Sequence, residues 1–347
     1  MGIQFALRPY RLLFKRPFGT AHGLRDGTDA LFIRLTVDGH EGWGEVTLPP
    51  YVKETVPDSI RRVEQLAREG FRAGDALLAA LDEHPALQGA PGTRAGVHTA
   101  LVDALARSRG QCVRELLNLH RSSTPITLMT IGICDISEVA ERLDEVPTSE
   151  ALKLKIGDKA QNARVQEVMR LSERRILLDG NQGLASVEEA AEVAAQVGDR
   201  LLGFEQPFAT DKDAWNEVLA ERTGALVIGD ESVQDLAGLE ANAGRFRGVN
   251  LKLMKCGGLD RAQAMAARAA QLGLTVMLGS MSESSLGCTA MAQLAGAARI
   301  VDLDGPWLLR NDPFQGIGME RGKLVVPDGP GLGTMPVLDL SPDPIGV

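Results

Sequence analysis

The sequence predicts an α/β protein in two parts: a (β/α)8 TIM-type barrel, and ahead of it a smaller α+β domain to which the C-terminal tail returns. Three observations carry this. The chain has 347 residues, 44% of them hydrophobic and 24% charged, which suits one large barrel or two ordinary domains and rules out wholesale disorder. Its first 50 residues read as strands and 56–109 as helices. After Ser123, short apolar runs alternate strictly with helical stretches.

In order, ALFIRLTV (30–37) is β-branched and alternating, Asp38-Gly39 makes a turn, and GWGEV (42–46) resumes as a strand. The helical part ends with Val97, Leu101 and Leu105 on one face. The alternating part holds eight runs: ITLMT (126–130), ALKLK (151–155), RILLD (175–179), LLGFE (201–205), ALVIGD (225–230), GVNLK (248–252), LTVMLG (274–279) and RIVDLD (299–304). Helix signals fall between them, such as the capping box Ser186-x-x-Glu189. Eight such units fit a closed barrel better than a doubly wound sheet, although open parallel sheets share the alternation. GKLVVPDGPGLG (322–333) reads as a strand, a proline stop and a glycine turn, too short to fold alone and expected to pack on the N-terminal domain. The predicted divisions are 1–122, with a mobile loop near 17–28, then 123–318 for the barrel and 319–347 for the tail.

Composition narrows the function. A net charge of −9 argues against a surface that neutralises phosphate backbones, so no nucleic-acid partner is expected. No window approaches 18 uncharged apolar residues, and the N-terminus is a poor signal peptide, so a cytoplasmic protein without a membrane partner is expected. Oligomeric state is open, a homo-oligomer included. Cys112, Cys134, Cys256 and Cys288 contain no CxxC pair, which excludes a disulfide framework and the usual zinc spacings. No histidine follows His120. The barrel must work without imidazole.

Barrel enzymes work at the C-terminal ends of their strands. Here those ends carry Lys153, Lys155, Asp179, Glu205, Asp230, Lys252, Asp302 and Asp304. Buried strand ends are costly places for unpaired charge. Asp179, Glu205 and Asp230 come from three successive strands, and three converging carboxylates repel unless a hard divalent cation sits among them. Oxygen-only donors point to Mg²⁺ or Mn²⁺ rather than zinc. Lys153 and Lys155 share one strand face, and a neighbouring ammonium is expected to lower a lysine's pKa toward that of a general base. Lys252 arrives nearly across the barrel. A metal with lysines on opposite sides is the layout for removing a proton from carbon. Taken singly, KxK reads as a solvated strand end and each carboxylate as a helix cap; together at successive strand ends they read as one site.

These residues resemble the enolase superfamily, specifically its muconate lactonizing subgroup. The likeness spans nearly the whole chain: GWGEV (42–46), VDALA (102–106), LKLKIG (152–157), DGNQG (179–183), EQP (205–207), DES (230–232), NLKLMKCGG (250–258) and PGLG (330–333). It implies an α+β capping domain over a modified barrel, with Mg²⁺ held by Asp179, Glu205 and Asp230. It implies Lys155 as catalytic base with Lys153 its electrostatic neighbour, and Lys252 as the opposing acid/base. Lys255, Asn181 and Glu231 take supporting places behind the site. DLDGP (302–306) resembles dipeptide epimerases, in which Asp302 and Asp304 would hold the substrate's α-ammonium, as paired carboxylates suit a cation. Asp302 and Asp304 as a solvated loop or a helix cap is the plainer alternative. Arg25, in PFGTAHGLRDG (17–27), looks like the arginine that binds the glutamate carboxylate in epimerases of Ala-Glu type; a solvated charge or a partner of Asp26 or Asp29 is the alternative. Thr130, Ser280 and Met281 sit where family members contact substrate, and His22 lies in the same loop as Arg25. The implied reaction is Mg²⁺-dependent epimerisation of L-Ala-D/L-Glu at the Cα of the C-terminal residue through a metal-stabilised enediolate, in recycling of cell-wall peptides. The alternatives are N-succinylamino acid racemase, o-succinylbenzoate synthase, a muconate-type cycloisomerase, or a barrel without catalysis.

Overall fold

The computed structural model describes residues 2–21, 23–50, 52–119 and 124–345; His22 and His120 lie outside them. Strands β1 (Gln4–Thr20), β2 (Gly23–Val37) and β3 (His40–Leu48) form an antiparallel sheet. Asp38 and Gly39 join β2 to β3 with φ of 50° and 81°, the paired positive values of a tight hairpin turn. Helices α1 (Val56–Ala67), α2 (Gly74–Ala80), α3 (Pro91–Ser108) and α4 (Val113–Leu116) complete this domain.

The α3 helix is buried from Gly92 to Ala106, so the single apolar face expected of it is too narrow a description. It packs against β3 on one side and against α10 (Leu253–Cys256) of the barrel on the other. Gly42 and Gly44 of β3 allow the first contact, because a Cβ at either would collide with the backbone of α3.

The eight apolar runs form β4 (Ile126–Ile131), β5 (Ala151–Lys155), β6 (Arg175–Asp179), β7 (Leu201–Glu205), β8 (Leu226–Gly229), β9 (Gly248–Leu251), β10 (Thr275–Gly279) and β11 (Ile300–Asp302). They are all parallel, and β11 pairs with β4, which closes the barrel and excludes the open sheet. The main crossover helices are α5 (Val139–Glu145), α6 (Gln161–Leu171), α7 (Val187–Val197), α8 (Ala214–Thr223), α9 (Leu236–Asn242), α11 (Leu259–Gln271) and α12 (Ser285–Ala292). Among the described residues, α13 (Gly305–Leu308) is the helix that follows the last barrel strand. Ser186 caps α7 by accepting the Glu189 N–H at 3.1 Å, which satisfies one otherwise orphaned donor.

Strand alternation separates two chemistries. On β5, Leu152 and Leu154 join the core shared with the helices, while Ala151, Lys153 and Lys155 take the opposite face. Leu128, Ala151, Leu177, Ile228, Met277 and Ile300 form a separate buried cluster that plugs the barrel below its charged layer. Lys155, Asp179 and Glu205 stand in register across β5, β6 and β7.

The tail divides its contacts. Strands β12 (Phe314–Gln315) and β15 (Met335–Pro336) pair, as do β13 (Gly318–Glu320) and β14 (Lys323–Val325), while β16 (Asp343–Pro344) adds to β1. The strand read in 322–326 therefore packs differently from expectation. Arg321 and Gly322 (φ 49° and 80°) turn it back on β13, and Leu324 N–H donates to Thr127 Oγ1 of the barrel at 3.0 Å. The glycine turn does meet the N-terminal domain: Asp103 accepts the Leu332 N–H at 2.8 Å and the Trp43 N–H at 3.0 Å. No helix among the described residues is long and apolar enough to cross a membrane.

Candidate active site

A cavity of about 480 Å³ opens at the C-terminal ends of the barrel strands, roofed by the N-terminal domain. Its lining includes Arg25, Thr130, Lys153, Lys155, Asn181, Asp230, Glu231, Lys252, Lys255, Ser280, Met281, Asp302 and Asp304. Asp179 and Glu205 lie buried beneath it. Residues far apart in sequence meet here because closure of the barrel brings every strand end to one rim.

Lys153 is surrounded by carboxylates. Its Nζ stands 2.8 Å from Asp179 Oδ2, 2.8 Å from Glu205 Oε2 and 2.7 Å from Asp302 Oδ2. Burial alone would depress its pKa, but Asp179, Asp302 and Glu205 together hold it well above the ordinary lysine value. At Lys153 the surrounding carboxylates outweigh the second ammonium beside it. Lys155 Nζ donates to Asp179 Oδ2 at 2.6 Å and to Asn181 Oδ1 at 2.9 Å. On the other side, Lys252 Nζ donates to Asp230 Oδ2 at 2.6 Å. Lys255 Nζ donates to Asp230 Oδ1 at 2.6 Å and to the carbonyls of Asp230, Val233 and Asn250 at 2.8, 3.0 and 2.8 Å. Four acceptors fix Lys255 as a strut.

The carboxylates answer to these cations. Burial raises Asp179, yet Lys153 and Lys155 hold it down at about 2. Asp230 is likewise held well below the carboxylate range against its burial, by Lys252 and Lys255. Glu205 is pushed up to about 7 by burial and by Asp179. Glu231 is also pushed up to about 7, by burial and by Asp230. Among the described residues, no three His, Cys, Asp or Glu side chains stand together as a ready-made ligand cage. Lys153, Lys155, Lys252 and Lys255 stand against Asp179, Glu205 and Asp230 and offset part of their mutual repulsion. The donor set itself fits a hard divalent cation: three buried carboxylates on adjacent strands, with Glu205 Oε2 near Lys153 but accepting no aligned hydrogen bond.

At the β11 end, Asp302 Oδ2 is taken by Lys153, and Asp302 Oδ1 accepts from Thr130 Oγ1 at 3.2 Å. Asp304 Oδ2 accepts the Thr130 N–H at 2.7 Å. Burial and Asp302 push Asp304 up to about 6, the mark of a site that would gain from a cation. Asp304 is thus the member of the pair that no lysine neutralises by direct contact.

Arg25 lies on β2, since 17–20 and 23–28 form the end of the β1–β2 hairpin where a mobile loop was expected. Its guanidinium donates to Thr28 Oγ1 at 3.0 Å and rests over the Phe14 ring at 5.6 Å. Asp26 and Asp29 pair with Arg11, at 2.7 and 2.8 Å.

Sequence reasoning missed two acids. Glu45, in GWGEV, crosses between the domains to accept from Ser284 N–H at 2.9 Å, Gly287 N–H at 3.0 Å and Ser284 Oγ. Glu283 accepts the Met281 N–H and so shapes the cavity wall; burial and Glu45 push it up to about 8. Neither has a charge partner nearby in sequence, and only contact across the domain interface marks them. An acid raised on folding binds a proton that the unfolded chain has lost, so stability falls as pH rises from about 4.5 to about 8. Glu283→Gln is expected to flatten that decline in thermal midpoints measured from pH 5 to 9. A variant profile parallel to the parent's would contradict the assignment.

Comparison with known proteins gives a consistent picture. A model of the family "Enolase C-terminal domain-like" matches residues 136–339. The L-Ala-D/L-Glu epimerase of Bacteroides thetaiotaomicron is 30% identical over 337 residues, covering 95% of this chain and 87% of that protein. The substrate-liganded structure of the L-Ala-D/L-Glu epimerase from Bacillus subtilis superposes with a TM-score of 0.86 at 27% identity, covering 96% of this chain and 99% of the other. The dipeptide epimerase from Methylococcus capsulatus, complexed with Mg and the dipeptide L-Arg-D-Lys, superposes at 0.87 with 28% identity over 96% of this chain and 99% of the other.

Proposed function

Since this chain belongs to the enolase superfamily, we propose that it is a Mg²⁺-dependent dipeptide epimerase that inverts the Cα of the C-terminal residue. One observation carries the reading. Lys155 closes β5 and Lys252 follows β9, and these strands stand four places apart in a ring of eight, directly opposite. A Cα held between them has one ammonium or amine on each face. Each lysine removes the proton of one epimer and returns it to the other. An L-Ala-D/L-Glu epimerase and a dipeptide epimerase complexed with a cationic dipeptide share this architecture, which supports a common reaction with side chains selecting the substrate.

Asp179, Glu205 and Asp230 would hold Mg²⁺, with Asn181 and Glu231 behind them and Mn²⁺ as a substitute of the same donor preference. When bound, the ion would acidify the Cα–H by drawing charge onto the substrate carboxylate. Asp304 receives the dipeptide's α-ammonium. Arg25, a planar donor fork at the cavity roof, reads an acidic side chain at the C-terminal residue, which makes L-Ala-D/L-Glu the reference substrate and recycling of cell-wall peptides the setting. Thr130, Ser280 and Met281 complete the walls.

The test is a dipeptide library incubated with enzyme and Mg²⁺ in D₂O and read by mass gain, with a chelated control expected to be silent. Asp304→Asn is expected to lower kcat/KM for dipeptides by roughly 10- to 100-fold, the loss of one charge-assisted contact, and to spare N-acylated amino acids. Equal losses on both classes would instead favour an N-succinylamino acid racemase.

A further inference from the structure

Among the described residues, the largest fully buried side chains belong to two arginines, Arg94 and Arg164. Neither lines the cavity, and neither has a part in the reaction proposed above. A guanidinium withdrawn from water is costly unless carboxylates and carbonyls meet its donors. In both residues the Nη fork makes those contacts, while Nε has no hydrogen-bond partner. What the two forks hold is the backbone beside Lys252 and Lys155.

Lys252 stands between the end of β9 and α10, a helix of a single turn. A turn that short does not hold itself, because fixing its first residues costs more than its few hydrogen bonds return. From the barrel side, Lys255 anchors it to the carbonyls of Asp230, Val233 and Asn250. From the N-terminal domain, Arg94 of α3 donates through Nη1 to the Gly257 carbonyl just past the turn. Both Nη groups also donate to the carboxylate of Asp260, at 3.0 and 2.7 Å, in the first turn of α11. Asp82 holds Nη2 at 2.7 Å. The pair Gly257-Gly258 permits this approach: φ is 92° and 136° there, and a Cβ on Gly258 would stand 2.9 Å from Arg94 Nη1.

Lys155 ends β5. Arg164 of α6 reaches back to it, Nη2 donating to the Lys155 carbonyl at 3.4 Å and Nη1 to the Cys134 carbonyl, beyond the neighbouring strand β4, at 3.3 Å. Asp158, between β5 and α6, pairs with the same guanidinium. Behind the backbone at each proposed base, therefore, lies a buried arginine clasped by an aspartate.

We infer that Arg94 and Arg164 are positioning residues, one for each lysine. Arg94 sets Lys252 against one face of the substrate Cα, and Arg164 sets Lys155 against the other. The inference rests on the two-lysine reading above. Proton transfer at carbon is steep in distance, and a displacement of about 1 Å costs on the order of 10²-fold in rate.

The test replaces each arginine by lysine, which keeps a charge and loses the fork. L-Ala-L-Glu and L-Ala-D-Glu, or the epimer pair that the library selects, are incubated separately with the full chain and Mg²⁺ in D₂O. Initial deuterium uptake without inversion uses one lysine per epimer, and the Lys252→Met and Lys155→Met variants assign the faces. The quantity read is the ratio of the Lys252-face rate to the Lys155-face rate, which the fraction of folded enzyme cannot move. Arg94→Lys is expected to lower it by about tenfold and Arg164→Lys to raise it by about tenfold. Should either fail to fold, Asp260→Asn and Asp158→Asn loosen the same forks from side chains 35% and 30% exposed. These are expected to shift the ratio in the same two directions by about threefold. A ratio that stays put, or that both arginine variants move the same way, overturns the inference. Amide hydrogen exchange of the chain without Mg²⁺ or substrate gives a second arm. Arg94→Lys is expected to speed exchange in 253–258 and Arg164→Lys in 155–160, each leaving the other segment unchanged; unaltered exchange in both segments overturns the inference as well. A parent silent on the whole library overturns the epimerase reading, and the amide arm alone then decides whether the arginines hold these segments.

Discussion

Replacing Lys252 by methionine is expected to slow epimerisation by about 10²- to 10⁴-fold, the usual contribution of a positioned acid or base, while one epimer continues to exchange its Cα proton with solvent. Methionine keeps most of the side-chain volume and removes the amine. The surrounding electrostatics survive, because Asp230 keeps Lys255 at 2.6 Å. The mirror variant, Lys155→Met, leaves Asp179 beside Lys153 at 2.8 Å, so neither substitution strands its carboxylate without a cation. With Lys252 gone, the epimer whose proton faces Lys155 can still lose that proton and regain a deuteron on the same side. Its partner cannot. With Lys155 gone the pattern reverses. Mass gain of each separated epimer in D₂O reads this directly, and two variants with the same exchange pattern would contradict the two-base scheme.

The barrel was legible because its strands alternate. In ALKLK the odd positions carry the charge and the even positions the leucines, and the same parity recurs in RILLD, where Leu177 and Asp179 share the inward face. Burial on both sides of a parallel strand leaves few uses for charge except at its C-terminal end, so the position of each charged residue in its run announced a common rim. What the runs could not show was which charges would touch. Lys153 meets Asp302 across 149 positions of sequence, and that contact engages Asp302 while leaving Asp304 without a lysine in direct contact. Two other features escaped for related reasons. The all-round burial of α3 depends on a sheet and a barrel helix pressing from opposite sides, which no single-face periodicity encodes. The hairpin end around Arg25 looked like a loop because glycines punctuate it, yet backbone pairing of Phe18 with Arg25 and Gly19 with Leu24 continues through them.

Asp230→Ala is expected to destabilise the folded protein by about 3–5 kcal/mol, the cost of breaking a buried ion pair by removing one partner. Asp230 answers two buried ammonium groups at once, Lys252 and Lys255, each at 2.6 Å. Lys255 would keep three backbone carbonyls, so it loses charge balance but not all of its hydrogen bonds; Lys252 loses the carboxylate it contacts at 2.6 Å. Because Lys252 and Lys255 hold Asp230 below its unfolded value despite burial, its stabilisation is complete above pH of about 4 and is lost only as pH falls through the depressed folded value. Asp230 also raises Glu231, so the alanine variant relieves a titration near 7, and its deficit in urea titrations should be largest near pH 5 and narrow as pH rises toward 8. Asp304→Asn supplies the contrast. Its carboxyl is raised to about 6, so ionising it opposes folding as pH climbs from about 4 to 6, and the amide should leave stability unchanged or improve it at neutral pH. Similar losses in the two variants would mean that the Asp230 contacts do not carry the energy assigned to them. The predicted divergence follows from one difference: Asp230 faces lysines, and Asp304 faces another aspartate.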